Sequence, residues 1–150
     1  MRQATRMTTK FWHKAVVGLS LSAVLLAGCS SKPVDSADDS VYFKSIEQAA
    51  AKLAPIDAIT RNSKVTRQRF RMTLNEHAPE AKKALDIYEG TPMAQRDSFQ
   101  ALKRAHDNFN LAGELWDQDK GLSLVNQRLA DGSRWLSQVP SLISQEKGKQ

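Results

Sequence analysis

The hydrophobic positions of this 150-residue chain form one unbroken run near its start and a series of helical stripes after residue 40. Residues 15–27 (AVVGLSLSAVLLA) carry no charge. Beyond residue 40, apolar side chains recur every three or four positions, as on one face of an α-helix. No window has the period-two alternation, rich in valine, isoleucine and threonine, that is typical of a strand. The pattern predicts an all-α fold, a single bundle of four to five helices.

Prolines interrupt the first half of this pattern and predict helix ends. Pro55 should kink the first helix or start a second one, because proline lacks an N–H and crowds the preceding turn. Ala78-Pro79 should end a helix over 57–77 and begin a short helix over 79–89. The expected N-cap of the first helix is Asp38, Asp39 or Ser40, and Gly90 is the expected stop after the short helix.

The second half of the chain has the clearest stripes. Thr91-Pro92 is typical of a helix start. Two stripes joined by a short polar turn at 117–121 then predict an antiparallel helical hairpin. Asp131-Gly132 could break its second helix, and Pro140 should end it. The two stripes are Phe99, Leu102, His106, Phe109, Gly113 and Trp116, followed by Leu122, Val125, Leu129, Gly132, Leu136 and Val139.

The uncharged run near the start is the middle of the three parts of a secretory signal. A basic segment precedes it, and the small pair Ala27-Gly28 follows it, directly before Cys29, which is the only cysteine of the chain. Thirteen residues are too few for a membrane-spanning helix, which needs roughly 20. The basic residues are Arg2, Arg6, Lys10 and Lys14.

The tetrapeptide Leu26-Ala27-Gly28-Cys29 resembles the lipobox of bacterial lipoproteins, with leucine three positions before the cysteine and two small residues between. The resemblance covers residues 1–31. It implies a diacylglyceryl group on the Cys29 thiol, cleavage between Gly28 and Cys29, and, in a Gram-negative host, an N-acyl chain such as palmitate on the new amine. An ordinary secretory signal and a short transmembrane anchor are the alternatives.

Ser30 and Ser31 follow the cysteine, where an aspartate would favour retention at the inner membrane of a Gram-negative lipoprotein. The resemblance therefore implies a lipid-anchored protein of the outer membrane that faces the periplasm. The predicted organisation is a signal peptide over 1–28, a lipidated cysteine and polar tether over 29–39, a helical bundle over 40–145, and a frayed tail over 146–150.

The formal charge of +6 arises mainly from the leader. It holds four of the 22 basic residues and none of the 16 acidic ones, so that 18 basic and 16 acidic residues remain, a net charge of +2. This balance argues against a nucleic-acid partner, which would favour a strongly basic domain. With Cys29 lipidated, no thiol remains for a disulfide or a thiolate metal site.

Residues that could carry chemistry are few, and we expect no enzyme, no metal and no cofactor beyond the lipid. His106 lies on an apolar stripe and is expected to be a buried histidine with one hydrogen bond. His77 should lie near a helix end and face exposed carbonyls. Asp117 and Asp119 should be solvated in a polar turn. The hydrolase motif Gly-x-Ser-x-Gly and the phosphate-binding motif Gly-x-x-x-x-Gly-Lys are absent.

A basic segment in the middle of the chain is the most distinctive local feature. No acidic residue occurs from Ala58 to Asn75. One interpretation is a contact surface for an anionic lipid, a cell-wall polymer or an acidic protein; the other is an ordinary solvated helix face. On one helix, three of the five cations would share a side. The cations are Arg61, Lys64, Arg67, Arg69 and Arg71, of which Arg61, Lys64 and Arg71 would share that side.

Two tryptophans and two glycines of the hairpin have both packing and binding interpretations. Trp116 and Trp135 should cover the bundle ends or bind a partner. Gly113 and Gly132 should let helices approach closely or make room for a tryptophan.

The sequence therefore predicts a lipid-anchored envelope protein that is a non-catalytic interaction or assembly module. Its expected partners are the membrane, through the lipid, and another envelope protein or an anionic lipid or polymer. The alternative is a binder or inhibitor of a soluble ligand or toxin, of the immunity or exclusion type. An envelope hydrolase has less support.

Overall fold

The computed structural model of this protein describes residues 36–62 and 64–149, with side chains from Asp39 onward. The predicted leader, the lipobox and the tether up to residue 35 lie outside the described residues. The described part contains four α-helices, one turn of 3₁₀ helix and no strand, which confirms the predicted all-α bundle. The helices are α1 (Ser36–Thr60), α2 (Arg67–Tyr88), the 3₁₀ turn (Pro92–Gln95), α3 (Asp97–Asp117) and α4 (Leu122–Lys147).

The four helices run alternately up and down. The Tyr42 ring near the start of α1 packs edge-on against Tyr88 at the end of α2, with 5.0 Å between centroids. At the opposite end, Arg67 at the start of α2 reaches Asp117 at the end of α3. The α3–α4 contact is the most extensive, which confirms the predicted hairpin, and α1 with α2 forms a second hairpin. The two hairpins meet at looser seams, one between α1 and α4 and one between α2 and α3.

Prolines lie inside three helices, at one position where we predicted a kink or a new helix start and at two positions where we predicted helix ends. Pro55 lies within α1, Pro79 within α2 and Pro140 within α4. The separate helices predicted over 57–77 and 79–89 are therefore wrong. A proline inside a helix costs about 3 kcal/mol, and burial of apolar residues on both sides of each proline offsets this cost. Pro79 and Pro140 are exposed.

The other boundary predictions have mixed outcomes. Helix α1 begins at Ser36, before the expected caps. Gly90 stops α2 as predicted and has a φ of 83°, a left-handed conformation that glycine adopts without strain. Thr91-Pro92 starts the 3₁₀ turn rather than the long helix, which begins at Asp97. Helix α4 continues through Asp131-Gly132 and past Pro140.

A buried core joins both hairpins. Most of its members lie on the predicted stripes, because residues spaced by three and four positions share one face of a helix. Burying a large apolar side chain contributes about 1.5–3 kcal/mol. The largest fully buried side chains are Tyr42, Phe43, Phe70, Phe99, Phe109, Ile46, Leu53, Ile56, Leu74, Leu102, Val125 and Val139.

A buried polar chain joins three helices at the end of the bundle where α1 begins. The Glu146 carboxylate of α4 accepts hydrogen bonds from the backbone N–H and the hydroxyl of Ser98, at 2.9 and 2.6 Å. It thereby caps the first turn of α3, where the N-cap residue Arg96 makes no side-chain cap bond. The Tyr42 hydroxyl lies 2.8 Å from the Ser98 oxygen, within hydrogen-bond distance. Residue 146 is thus held in place, contrary to the predicted frayed tail.

This chain of hydrogen bonds predicts an alkaline loss of stability. Burial raises the pKa of Tyr42 from 10.0 to about 12, while the Ser98 hydrogen bond opposes the shift. The folded state therefore favours the neutral phenol. The stability that this preference contributes is complete below pH 10 and is lost as the pH rises from 10 towards 12. We expect wild type to lose about 1 kcal/mol more than Tyr42→Phe between about pH 9 and pH 11. Urea unfolding at both pH values measures this difference, and equal losses in the two proteins would contradict it.

Candidate functional site

The structure divides the predicted basic segment among three elements. Arg61 follows the last residue of α1, Lys64 lies in the connection, and α2 begins only at Arg67. The prediction that Arg61, Lys64 and Arg71 share one side of a helix is therefore wrong. Arg61 donates a hydrogen bond to the Asp57 carboxylate at 2.7 Å. The segment lies at the end of the bundle opposite the start of α1, because α1 and α2 are antiparallel neighbours.

Two arginines of this segment have a structural role that the sequence did not reveal. Arg67 contacts both Asp117 and Asp119, with nitrogen–oxygen distances of 3.3 and 3.0 Å, and Arg71 contacts the second oxygen of Asp117 at 3.1 Å. Arg67 also donates to the Asp117 carbonyl at 2.8 Å, at the C-terminus of α3 where a cation is favoured. The two aspartates are exposed, as expected of a polar turn, but they are ion-paired. Arg67 and Arg71 thus tie α2 to α3.

Lys64 and Arg69 remain as exposed cations of the segment. Among the described residues neither forms an ion pair. The predicted anionic contact would therefore rest on these two side chains more than on Arg67 and Arg71, whose charges are already balanced by aspartates.

The seam between α1 and α4 contains an apolar groove with a volume of about 480 Å³, which we call the α1/α4 groove. Its wall on α1 carries alanine methyl groups, and its floor and wall on α4 carry aliphatic side chains, one proline and two serines. Charged groups lie at its ends. The lining residues are Glu47, Ala50, Ala51, Ala54, Asp57, Arg61, Leu136, Ser137, Val139, Pro140, Ile143 and Ser144.

The charged residues at the two ends of the α1/α4 groove differ in their ion-pair and hydrogen-bond partners. Glu47 pairs with Lys147 of α4 at 2.8 Å, and both side chains are about half exposed. Asp57 is only 14% exposed, and its Oδ2 accepts from Arg61, whose side chain is 70% exposed. The other oxygen, Oδ1, is buried and has no hydrogen-bond partner among the described residues.

The seam between α2 and α3 contains a second cleft of about 460 Å³ with a more polar lining. His106 lies in it, 9% exposed, as predicted for a buried histidine. Its ring contacts Asn110 at 3.1 Å and Asp107 at 3.2 Å. The sequence did not predict that this histidine would border a cleft. The lining residues are Leu74, Asn75, Ala78, Pro79, Lys82, His106, Asp107, Asn110, Leu111 and Glu114.

His77 does not lie at a helix end, because α2 continues to Tyr88. Its imidazole is partly buried, and its Nε2 lies 3.9 Å from a carboxylate oxygen of Glu76. In the described residues, no three side chains among His, Cys, Asp and Glu come close enough together to hold a metal ion. None of the helices of the described part has the length and hydropathy needed to cross a membrane.

The tryptophans and glycines of the hairpin make close packing contacts. Trp116 stacks at a tilt on Phe70, 5.6 Å between centroids. Trp135 lies in the middle of α4, not at a bundle end, and the Arg104 guanidinium covers its ring at 4.5 Å. At Gly132 a Cβ atom would meet the Phe109 ring at 2.8 Å.

Gly113 faces α2, not the partner helix of its hairpin. A Cβ atom there would lie 2.7 Å from the Arg71 guanidinium and 2.8 Å from a Leu74 methyl. The predicted close approach is therefore correct for Gly132 between α3 and α4, while Gly113 serves the α2–α3 seam.

No protein-family model, curated protein or solved structure gives a significant match to this chain.

The α1/α4 groove offers alkyl surface with acceptors and donors at its ends, and the α2/α3 cleft offers a buried imidazole beside amide and carboxylate groups. Neither holds a serine or cysteine nucleophile hydrogen-bonded to a base, which is the arrangement that covalent catalysis uses.

Proposed function

We propose that this protein is a lipid-anchored component of the cell envelope that works as a non-catalytic interaction module. The anchor is a diacylglyceryl group on Cys29, with an N-acyl chain on the amine exposed by cleavage after Gly28. The location is the periplasmic face of the outer membrane in a Gram-negative host. The support for the anchor is the sequence Leu26-Ala27-Gly28-Cys29 behind an uncharged run, since two or more acyl chains hold a protein stably at a bilayer.

The residue at which α1 begins limits the distance between the bilayer and the bundle. Helix α1 begins at Ser36, so only residues 30–35 separate it from the lipidated cysteine. Six residues span at most about 20 Å when fully extended. Helix α1 has 25 residues and is therefore about 37 Å long. Lys64 and Arg69 lie at the end of the bundle opposite the start of α1, and we propose that they face a cell-wall polymer or an acidic protein.

The observation that carries the interaction hypothesis is the α1/α4 groove. Its long walls are alkyl groups, and its charged groups are confined to the two ends. Apolar grooves between helices bind amphipathic segments of other proteins.

A second candidate function rests on the α2/α3 cleft. A cleft of about 460 Å³ that holds the buried His106 and several polar side chains has the size of a small-ligand site. It favours the alternative of a binder or inhibitor of a soluble ligand.

The test is a pull-down with tagged full-length protein from detergent-solubilised envelopes of its host, beside a soluble form covering residues 30–150. We expect both forms to retain one stoichiometric envelope protein in detergent. In cells, only the lipidated form should position that partner at the membrane. Absence of a stoichiometric partner in either sample would overturn the interaction hypothesis and favour the soluble-ligand alternative.

A further inference from the structure

The seam between α1 and α4 continues beyond the α1/α4 groove into a second hollow of about 290 Å³. Thr60 on α1 and Leu129, Ala130 and Ser133 on α4 line this hollow. Arg61 lines both spaces. Its side chain therefore separates two hollows that otherwise follow one line along the same pair of antiparallel helices.

The Arg61 side chain is mostly exposed, whereas its partner is not. Its contact to Asp57 is an i,i+4 ion pair in which the arginine is 70% exposed and the aspartate 14% exposed. Moving Arg61 away without a replacement would leave a largely buried carboxylate without a cation, which is costly. Arg61 can therefore leave this position only in exchange for another donor.

One oxygen of the Asp57 carboxylate has no hydrogen-bond donor among the described residues. This oxygen, Oδ1, is buried, while Oδ2 has Arg61. A buried carboxylate oxygen without a donor is unfavourable. Asp57 also lines the α1/α4 groove, so a molecule seated in the groove once Arg61 has moved could supply donors to the carboxylate.

The shape of the groove matches a helix. On α1 its lining extends from residue 47 to residue 57, which is about 15 Å along a helix axis, or about three turns, and Arg61 lies just beyond the end of the helix. The exposed side chains of Ala51 and Ala54 on one wall face Pro140 on the other. Such short side chains let a third helix approach two parallel or antiparallel helices closely.

We propose that the α1/α4 groove docks an amphipathic helix of a partner protein, and that this helix places a lysine or arginine on the Asp57 carboxylate in exchange for Arg61. The exchange keeps a cationic donor on the carboxylate and joins the two hollows into one longer groove. A cation is the complementary group, because it stabilises a buried carboxylate more than a neutral donor does. This inference rests on the interaction function proposed above. An acyl chain, the other apolar occupant, would leave the carboxylate without donors.

The test uses full-length protein in lipid nanodiscs and a phage-displayed library of random peptides about 16 residues long, which as helices span about 24 Å. We expect the selected peptides to share apolar residues at i, i+3 or i+4, and i+7, with one lysine or arginine among them. Replacing that basic residue by glutamine should weaken binding about tenfold, the loss expected for a buried charged pair.

Three variants of the protein locate the site. Ala54→Arg fills the groove from an exposed position and should weaken binding at least about tenfold. Ala58→Arg, also exposed on α1 but outside the groove lining, should change binding less than about twofold. Asp57→Asn should weaken binding of the basic peptide and leave binding of its glutamine version unchanged. Circular dichroism establishes that each variant is folded.

Selected peptides without a basic residue, or equal binding to Ala54→Arg and Ala58→Arg, would overturn the inference. If the envelope pull-down yields a partner that Ala54→Arg still retains, the interaction function stands and the groove is not its site. If basic peptides bind as expected but the pull-down yields no partner, the groove is a helix-binding site and the proposed function fails.

Discussion

Replacing Cys29 with alanine is expected to leave an uncleaved, unlipidated precursor and to abolish anchoring through acyl chains. The thiol is the group that takes the diacylglyceryl unit in the lipoproteins that this leader resembles, and cleavage follows lipid addition there. Each buried methylene contributes about 0.8 kcal/mol to membrane binding. Loss of two or more chains therefore removes far more binding energy than any single surface contact of the bundle provides.

Metabolic labelling with a radioactive fatty acid, gel mobility and membrane fractionation measure this effect. Wild type should be labelled, shorter than the Cys29→Ala chain and recovered with membranes after a carbonate wash. Ser30→Ala is the matched control, because it changes the adjacent residue and keeps the cysteine. A Cys29→Ala protein that is processed normally and stays with membranes would refute the lipobox interpretation.

Gly132→Ala is expected to lower the free energy of unfolding by about 2 kcal/mol, despite the higher helix propensity of alanine. A Cβ atom at this position would lie 2.8, 2.9 and 3.2 Å from three atoms of the Phe109 ring. That ring is fully buried, so it can move only by displacing its neighbours. Overpacking of this kind costs about 1–3 kcal/mol, and the propensity gain of at most about 1 kcal/mol offsets only part of it.

A double-mutant cycle separates this contact from a general effect of removing glycine. Phe109→Leu destabilises by itself, yet Gly132→Ala should cost less in the Phe109→Leu background, because the clash is then absent. Gly148→Ala is the control, since its Cβ atom would make contacts of 3.6 Å or more. Urea unfolding monitored by circular dichroism measures the four free energies of the cycle and that of the control. Strict additivity of the two core changes would show that the ring contact does not restrict residue 132.

The helices were predictable because burial of one helix face leaves a three–four spacing in the sequence. The stripe with Phe99, Leu102 and Phe109 predicted α3, and the polar turn after residue 117 predicted the hairpin. The predicted helix ends at Pro79 and Pro140 were wrong, and no second helix starts at Pro55. The cost of proline is local, whereas burial of its neighbours against other helices exceeds that cost and acts only in the folded protein.

The features of the candidate sites were less predictable than the helices. The basic segment was visible, but its division between the end of α1, the connection and α2 was not. The pairing of Arg67 with Asp117 joins residues 50 positions apart. No local sequence pattern predicts a contact between residues so far apart in the chain. The hydrogen bonds from Ser98 to Glu146 likewise join residues 48 positions apart, although the tail of α4 looks unstructured in sequence.

The sequence by itself determined the class of fold, the α3–α4 hairpin and the expectation of a lipid anchor at Cys29, because each depends on residue types at short, regular spacing. The tertiary structure alone decided that three prolines lie within helices, that Arg67 and Arg71 tie helices together, and that a groove lies between α1 and α4. These features arise where segments far apart in the chain meet. Their energies come from burial and from pairing across the bundle, which depend on three-dimensional proximity rather than on local spacing.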